Sequence, residues 1–193
     1  CVTNLLETVD RITRAICRKI PLDVVFLDFA KAFDRVPRRR LLLKLEALGI
    51  KGRILEWIKS FLHDRKQRIA LGNFYSDWST VLSGVPQGSV LGPILFIMYI
   101  NDLPRNFKHP CKMYADDCKI IAEIKSDEDV CQLQKDIESA VEWCRVWLMQ
   151  LNVNKCKVMH FGKQNSKKLY TMFNSSSLNF QELSTTQREH SKT

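Results

Sequence analysis

The sequence predicts an α+β fold in which a β-sheet is covered by helices on one face. An apolar, β-branched run over residues 22–27 is typical of a buried strand. Shorter strand-like runs follow at 112–114, 118–124 and 156–161, and segments with helical periodicity separate them. The chain has 193 residues, of which 45% are hydrophobic, so it can bury the core of one domain.

Helical repeats dominate the first third of the chain. Apolar residues at helical spacing predict an amphipathic helix over residues 3–18. Its apolar stripe consists of Leu5, Val9, Ile12 and Ile16. Two further helices are predicted at 38–48 and 52–63, and Gly49 separates them.

A strand pair and a buried helix are predicted next. Residues 67–71 and 75–82 indicate two strands joined by a turn at Gly72-Asn73. Residues 91–103 are apolar nearly all round, which predicts a helix inside the core. This run is shorter than the roughly 20 residues that a bilayer requires, so no membrane partner is expected.

The second half is predicted to hold an acidic hairpin and a long helix. Two strands flank Ala115-Asp116-Asp117, which places two carboxylates at the hairpin tip. Ser126 begins the helix, and the acids at 127–129 suit its positive end. Because the composition then turns polar, residues 1–161 are predicted to form the folded domain and 162–193 a poorly structured or truncated tail.

The net charge of +9 is concentrated in one stretch of the chain. Residues 31–68 carry 12 basic and four acidic side chains. A concentrated basic face suits a polyanion partner such as nucleic acid. The competing interpretation is a solvated helix surface, which the charge alone favours slightly.

Three carboxylates stand where apolar runs stop, namely Asp28, Asp116 and Asp117. On neighbouring strands they would converge at the rim of the sheet and repel one another unless they shared a cation. Mg²⁺ takes such oxygen ligands and keeps positions for water and substrate phosphates. Two such ions about 4 Å apart would suit phosphoryl transfer. The competing interpretation is that Asp is simply common at strand ends and turns.

Three segments resemble the catalytic motifs of reverse transcriptases from non-LTR (LINE-type) retrotransposons, of the Jockey and CR1-like group. They are residues 27–37 (LDFAKAFDRVP), 83–93 (SGVPQGSVLGP) and 114–117 (YADD). The resemblance runs over about residues 1–165 and implies a polymerase palm with part of the fingers. It also implies an RNA-directed DNA polymerase whose partners are an RNA template, a DNA primer and dNTP.

The resemblance implies a metal site and a proton donor. The implied ligands of two Mg²⁺ ions, or of Mn²⁺, are Asp28, Phe29 through its backbone oxygen, Asp116 and Asp117. Lys155 matches the family's lysine near the departing pyrophosphate, where it would act as a general acid. Lys157 is a competing candidate, and either lysine could be a plain surface cation.

The resemblance also implies a nucleotide site. Its residues are Phe29, Ala30, Phe33, Gln87 and Gly88. Phe33 stands where the family places a ring that leaves no room for a ribose 2′-hydroxyl, and the alternative is an ordinary core Phe. Gln87 would contact the nascent base pair, and backbone N–H groups of its glycine-rich loop can hold phosphate.

Rival functions stay open at this stage. An RNA-dependent RNA polymerase must accept the 2′-hydroxyl, and Phe33 argues against it. A group II intron enzyme shares the Gly-x-Pro-Gln-Gly loop, but residues 28–37 are more similar to the retrotransposon form. A remnant without catalytic activity that only binds nucleic acid is the third alternative.

The start of the chain suggests a piece of a longer protein, and its cysteines suggest a location inside the cell. The chain begins at Cys1 and its first methionine is Met98, so we expect a piece of a longer protein that is inactive alone. Seven cysteines without a CxxC pair suit reduced thiols. The parent protein is therefore expected inside the cell, in nucleus and cytoplasm.

Overall fold

The structure is a computed structural model that describes residues 2–172 and the backbone of residues 181–182. In chain order its elements are α1 (Val2–Cys17), β1 (Leu22–Leu27), α2 (Ala32–Arg35), α3 (Arg38–Ala47), α4 (Gly52–Leu62), β2 (Lys66–Gln67), β3 (Ala70–Leu71), β4 (Phe74–Tyr75), β5 (Ser79–Thr80), α5 (Leu91–Ile100), β6 (Cys111–Tyr114), β7 (Asp117–Glu123), α6 (Asp127–Trp147), β8 (Lys157–Phe161) and β9 (Gln181–Glu182). A short 3₁₀ helix (Leu103–Asn106) follows α5.

The chain forms two compact units. The first takes in the described parts of Cys1–Asp28, Pro104–Val141 and Leu151–Thr193. The second consists of Phe29–Leu103 and Glu142–Gln150. All three carboxylates singled out from the sequence belong to the first unit, and the glycine-rich loop at 83–93 belongs to the second.

A five-stranded sheet forms the first unit, in the order β6-β7-β1-β8-β9. The pairs β6–β7, β7–β1 and β1–β8 are antiparallel, and β9 joins β8 in parallel. Strand β1 lies in the middle and is buried on both faces, with Val24 and Val25 fully inaccessible to solvent. A central strand covered on both sides must be apolar throughout, which is why β1 shows no polar alternation except at Asp23.

Helix α1 packs on the face of the sheet that carries the even-numbered residues of β1. Ala15 lies in one buried cluster with Leu22, Val24 and Ile121, and Ile12 packs against it. Thr8 and Ala15 are the buried residues of α1. The small side chains of these two residues let the helix approach the sheet closely.

Four helices and the end of α6 form the core of the second unit. Lys44 of α3 lies inside this core, with only 8% of its surface exposed. Its ammonium stands 3.7 Å from the ring centre of Trp147 and hydrogen-bonds the carbonyl of Tyr99 and the carboxylate of Asp102. Burial lowers the pKa of Lys44, and these partners compensate the desolvation of its charge. One of the 12 cations of the basic stretch is therefore a core residue.

The predicted elements match the observed ones with small differences, and the predicted α+β class is confirmed. The helix predicted at 91–103 ends at Ile100. The strand pair predicted at 67–71 and 75–82 is split into β2–β5 and β3–β4. The split occurs because the hydroxyl of Ser76 accepts the hydrogen bond of the Ile69 N–H at 2.9 Å, in place of a strand carbonyl.

The segment after β8 lies mostly outside the described residues, so the predicted tail at 162–193 stays a prediction. Its described part is anchored to β1. Tyr170 is 2% exposed, and its hydroxyl donates to Asp23 at 2.6 Å. Among residues 2–172, no helix has the length and apolarity needed to cross a membrane.

Candidate active site

The main chain of Asp28 is held in place at the end of β1. The backbone N–H of Asn152 donates to the Asp28 carbonyl at 2.7 Å. The Asp28 N–H donates to Cys156 Sγ at 3.4 Å. Burial raises the pKa of the Cys156 thiol to about 11, so this sulfur stays protonated at neutral pH. Cys156 is a positioning residue that the sequence pattern did not reveal.

The hairpin between β6 and β7 carries the other two carboxylates at its tip. Tyr114 pairs with Asp117, which leaves Ala115 and Asp116 as a two-residue turn. Ala115 has a φ of 50°, a left-handed conformation that costs roughly 1–2 kcal/mol for a residue with a Cβ. Asp117 begins β7, whereas the sequence placed it after a strand. The strained turn presents Asp116 and Asp117 side by side.

The strand register brings the three carboxylates together. Leu27 of β1 lies opposite Cys118 of β7, so the next position pairs Asp28 with Asp117. Residues directly opposite each other have Cβ atoms about 4.5–5.5 Å apart. The pKa of Asp28 is raised, first by burial and then by the charges of Asp116 and Asp117, while Lys155 opposes the shift. Asp116 and Asp117 therefore lie close enough to Asp28 for their charges to act on its carboxylate, and the assignment of the three residues as metal ligands stays a prediction.

The three carboxylates repel one another, and their oxygen atoms suit a hard cation such as Mg²⁺. Asp28 Oδ1 is buried and has no hydrogen-bond partner among the described residues. Among residues 2–172, no group of three or more His, Cys, Asp or Glu side chains is arranged to hold a metal ion. Mg²⁺ does not require a group of three protein ligands, because it is usually held by one or two carboxylates together with water and substrate phosphates.

Lys155 lies next to Asp28, and its predicted place beside the departing pyrophosphate stays a prediction. Its Nζ is 3.9 Å from Asp28 Oδ1, and 66% of its side chain is exposed. This distance is too long for a hydrogen bond and allows only an ion pair. Lys157, the competing candidate, lies on β8 opposite Phe26, two residues further from the carboxylates.

Phe29 and Ala30 follow Asp28 directly and are fixed within the second unit. The Phe29 ring is buried and meets the ring of Trp143 edge-on at 6.3 Å. The Ala30 N–H donates to the Gln150 carbonyl at 2.8 Å. Trp143 is therefore a core residue. Because the Phe29 side chain is used in packing, its backbone carbonyl is the group left for the predicted ligand role.

Phe33 is half-buried and stacks on Phe96, with ring centres 4.5 Å apart. One face of the Phe33 ring therefore packs in the core, as the alternative of an ordinary core Phe requires. The rest of the Phe33 side chain is exposed, which a contact with the sugar of a nucleotide would require. Its part in nucleotide selection stays a prediction.

The loop at 83–93 is bonded to the segment that contains Phe33. The Val85 N–H donates to the Phe33 carbonyl at 2.8 Å. A Cβ on Gly84 would lie 2.6 Å from the backbone oxygen of Asp34, so only glycine permits this approach. Gln87 and Gly88 are exposed at the tip of the loop, and the Gln87 amide donates to Asp34 Oδ1 at 3.2 Å.

Ser89 is a further residue that sequence reasoning missed. Its hydroxyl accepts the hydrogen bond of the Gly92 N–H at 2.9 Å and donates to the Pro86 carbonyl at 2.8 Å. It thereby caps the start of α5 and fixes the end of the loop. A Ser placed three residues before the second helical residue was the signal available in the sequence.

The chain matches a known family over most of its length. A family model described as reverse transcriptase (RNA-dependent DNA polymerase) matches residues 17–188. The chain belongs to the reverse transcriptase family. All the predicted site residues lie inside the matched range, which contains the whole second unit and the first unit apart from most of α1 and the last residues of the chain.

The curated relatives are polymerases of mobile elements. The chain is 33% identical over 165 residues to the probable RNA-directed DNA polymerase from transposon BS of Drosophila melanogaster, covering 79% of this chain and 18% of that protein. It is 30% identical to the RNA-directed DNA polymerase from mobile element jockey of the same species, covering 72% and 16%. The predicted resemblance to the non-LTR group is thus confirmed, and the chain spans about a fifth of the length of these relatives.

Two solved telomerase structures share the fold. Telomerase from Candida tropicalis, in complex with a fragment of telomeric RNA, superposes with a TM-score of 0.62 at 16% identity, covering 86% of this chain and 30% of that one. Telomerase from Candida albicans gives a TM-score of 0.56 over the same share of this chain and 32% of its own. These likenesses confirm the polymerase palm architecture.

Proposed function

We propose that this chain carries the nucleotidyl-transfer centre of an RNA-directed DNA polymerase, which adds dNMP to a primer 3′-hydroxyl on an RNA template. The observation that carries the proposal is the grouping of Asp28 with Asp116 and Asp117, with Asp28 Oδ1 buried and without a hydrogen-bond partner among the described residues. Family membership and the names of the relatives support the same reaction.

Asp28 and Asp116 would hold two Mg²⁺ ions, with Asp117 beside them and the Phe29 carbonyl as a further ligand. When bound, the ions supply neutralisation of the charge that builds up on the phosphoryl oxygens. The 3′-hydroxyl gives its proton to water as its oxygen bonds to the α-phosphorus, and the bond to pyrophosphate breaks. Lys155, exposed beside Asp28, gives a proton to the departing pyrophosphate.

Metal binding by the chain itself tests the centre without requiring catalysis. Titration with Mn²⁺, followed by the electron paramagnetic resonance of the free ion, is expected to show binding that Asp28→Asn weakens by about tenfold or more, since one ligand is worth over 1.4 kcal/mol. Asp127→Asn is the matched control, because Asp127 is 87% exposed and pairs with Lys168 on another part of the unit. Equal Mn²⁺ affinity in wild type and Asp28→Asn would contradict the proposed ligand set.

Phe33→Val is expected to raise the preference for ribonucleotides. Phe33 stacks on Phe96 with one face, and shortening its side chain opens the space that a 2′-hydroxyl needs. The kcat/KM ratio of rNTP over dNTP should rise by about tenfold or more. The measurement uses a polymerase in which this chain replaces the matching segment of the jockey enzyme.

Phe61→Val provides the control for the Phe33 experiment. Phe61 also stacks on an aromatic ring, that of Trp57 at 5.9 Å, and lies in the same unit. The same loss of side-chain volume there should leave the nucleotide preference unchanged. A ratio that is unaltered by Phe33→Val, or altered equally by both variants, would remove the role of Phe33 in sugar selection.

A further inference from the structure

We infer that a row of lysines, on the same sheet face as Asp28, binds the phosphate backbone of the primer–template duplex. The row is formed by Lys112, Lys119 and Lys157, and we call it the lysine row. The inference rests on the proposed function, which places the primer end at Asp28, and it adds the surface that holds the duplex there.

The register of four strands defines the lysine row. Phe26 precedes Asp28 by two residues, so the two side chains share one face of the sheet. Phe26 lies opposite Lys119 on β7 and opposite Lys157 on β8. Lys119 in turn lies opposite Lys112 on β6. The three lysines therefore flank one aromatic ring, about 7 Å from the carboxylates along the strands.

The lysine side chains are placed for a ligand outside the protein. All three are half-exposed. Lys119 Nζ stands 5.9 Å from the centre of the Phe26 ring. Lys112 forms an ion pair with Glu7 of α1. Within residues 2–172, neither Lys119 nor Lys157 has a carboxylate in ion-pair contact.

The lysine row by itself does not stabilise the sheet. Lysine is disfavoured in strands, and like charges directly opposite each other, as in Lys112 and Lys119, destabilise a strand pair. The next row on the same face is apolar and includes Val24 and Ile121, which α1 covers. The cations thus occupy a partly exposed strip between the carboxylates and this core, against which Phe26 packs.

The position of the strip favours a nucleic-acid strand over the triphosphate of dNTP. The triphosphate would meet the metal ligands at Asp28 and Asp116. A β-strand rises about 3.3 Å per residue, and a nucleic-acid strand about 3.4 Å per nucleotide. The lysine row therefore stands about two nucleotides from the reacting end, where phosphates of the duplex follow one another.

The test is the salt dependence of duplex binding by the 193-residue chain. Anisotropy of a labelled RNA–DNA hybrid, measured in EDTA at several salt concentrations, gives the slope of log K against log salt. The triple variant K112Q, K119Q and K157Q is expected to flatten this slope by about two to three, since each phosphate contact contributes about 0.9. Its affinity at low salt should fall by about tenfold or more.

A matched triple variant controls for net charge. Lys125, Lys135 and Lys163 are exposed and lie outside the lysine row, and replacing all three with glutamine removes the same charge. This control should retain the wild-type slope. Equal flattening in both triple variants, or an absence of hybrid binding by the wild-type chain at low salt, would overturn the inference. Circular dichroism melting curves that superpose on wild type establish that all the variants are folded.

The proposed catalytic centre and the lysine row can fail separately. Because binding is measured in EDTA, Asp28→Asn should bind the hybrid at least as tightly as wild type, since it removes a negative charge near the phosphates. A flattened slope in the lysine variant supports the lysine row even if Mn²⁺ binding proves independent of Asp28. In the jockey chimera, a rise in the KM for dNTP without a change in duplex affinity would assign the lysines to the nucleotide and overturn the inference.

Discussion

Replacing Asp28 or Asp116 with alanine is expected to lower the primer-extension rate by about a thousandfold or more. Each substitution removes a carboxylate from the group at the ends of β1 and the β6–β7 hairpin. A loss of about 4 kcal/mol of transition-state stabilisation corresponds to that factor, at about 1.4 kcal/mol for each factor of ten. The rate is measured with Mg²⁺ and dNTP in the polymerase chimera that carries this chain in the jockey enzyme.

The control for this experiment is Asp127→Ala, at an exposed acid in the first turn of α6. It should leave the rate of the chimera unchanged. If either Asp28→Ala or Asp116→Ala retains a tenth of the rate, the assignment of that residue as a metal ligand is wrong.

The pKa of Asp28 predicts a second, independent readout. A pKa raised in the folded state means that its contribution to stability is present below the ordinary value of 3.8 and is lost as the pH rises through the folded pKa. At neutral pH the ionised Asp28 therefore weakens the metal-free fold. Asp28→Asn should keep or raise the Tm in EDTA and should lose the rise in Tm that Mn²⁺ gives the wild-type chain.

Replacing Asp23 with alanine is expected to lower the free energy of unfolding by about 3–5 kcal/mol. Asp23 is 1% exposed and accepts from the Tyr170 hydroxyl at 2.6 Å and the Asn165 amide at 2.7 Å. Its carboxylate also contacts His160 Nδ1 at 2.7 Å. Removing the carboxylate takes this partner from the buried Tyr170 hydroxyl and from His160, while the Asn165 amide keeps its hydrogen bonds to the carbonyls of Leu22 and Phe161. Urea unfolding at pH 7 measures the difference.

Two further variants serve as comparisons for Asp23→Ala. Asp10→Ala removes an exposed carboxylate that pairs only with Arg14 one turn along α1, so it should cost less than about 1 kcal/mol. Tyr170→Phe removes a single hydrogen bond to a charged group and should cost about 1.5–3 kcal/mol. A loss below 1 kcal/mol for Asp23→Ala would show that the segment at 162–172 is not anchored to β1 through this residue.

The same cluster predicts how stability changes in alkaline solution. Burial, and then the hydrogen bond to Asp23, raise the pKa of Tyr170 above its ordinary value of 10.0. Its contribution is therefore complete below pH 10 and is lost as the pH rises through the higher folded pKa, because only the unfolded chain ionises readily. Cys156 acts in the same direction, so Tyr170→Phe should reduce the decline above pH 10 without abolishing it.

In helix α1, the periodicity of apolar residues identifies the helix but not the residues that pack on the sheet. The predicted stripe of Leu5, Val9, Ile12 and Ile16 identifies a helix correctly, but Leu5, Val9 and Ile16 are at least 50% exposed. Thr8 and Ala15 face the core instead. The helix turns this way because small side chains allow close approach, while Asn4 and Glu7 bond to β6. Periodicity reveals an apolar face, whereas only the packing shows which residues it covers.

The sequence by itself determined the α+β class, the order of the elements and the motif residues. Each of these follows from local patterns or from contiguous motifs. Only the tertiary structure decided the contacts between residues far apart in the chain, such as Cys156 with Asp28 and Lys44 with Trp147. The lysine row likewise depends on the register of four strands. Such pairings arise from packing between segments that are far apart in the chain. A local sequence pattern does not indicate which strand lies beside which.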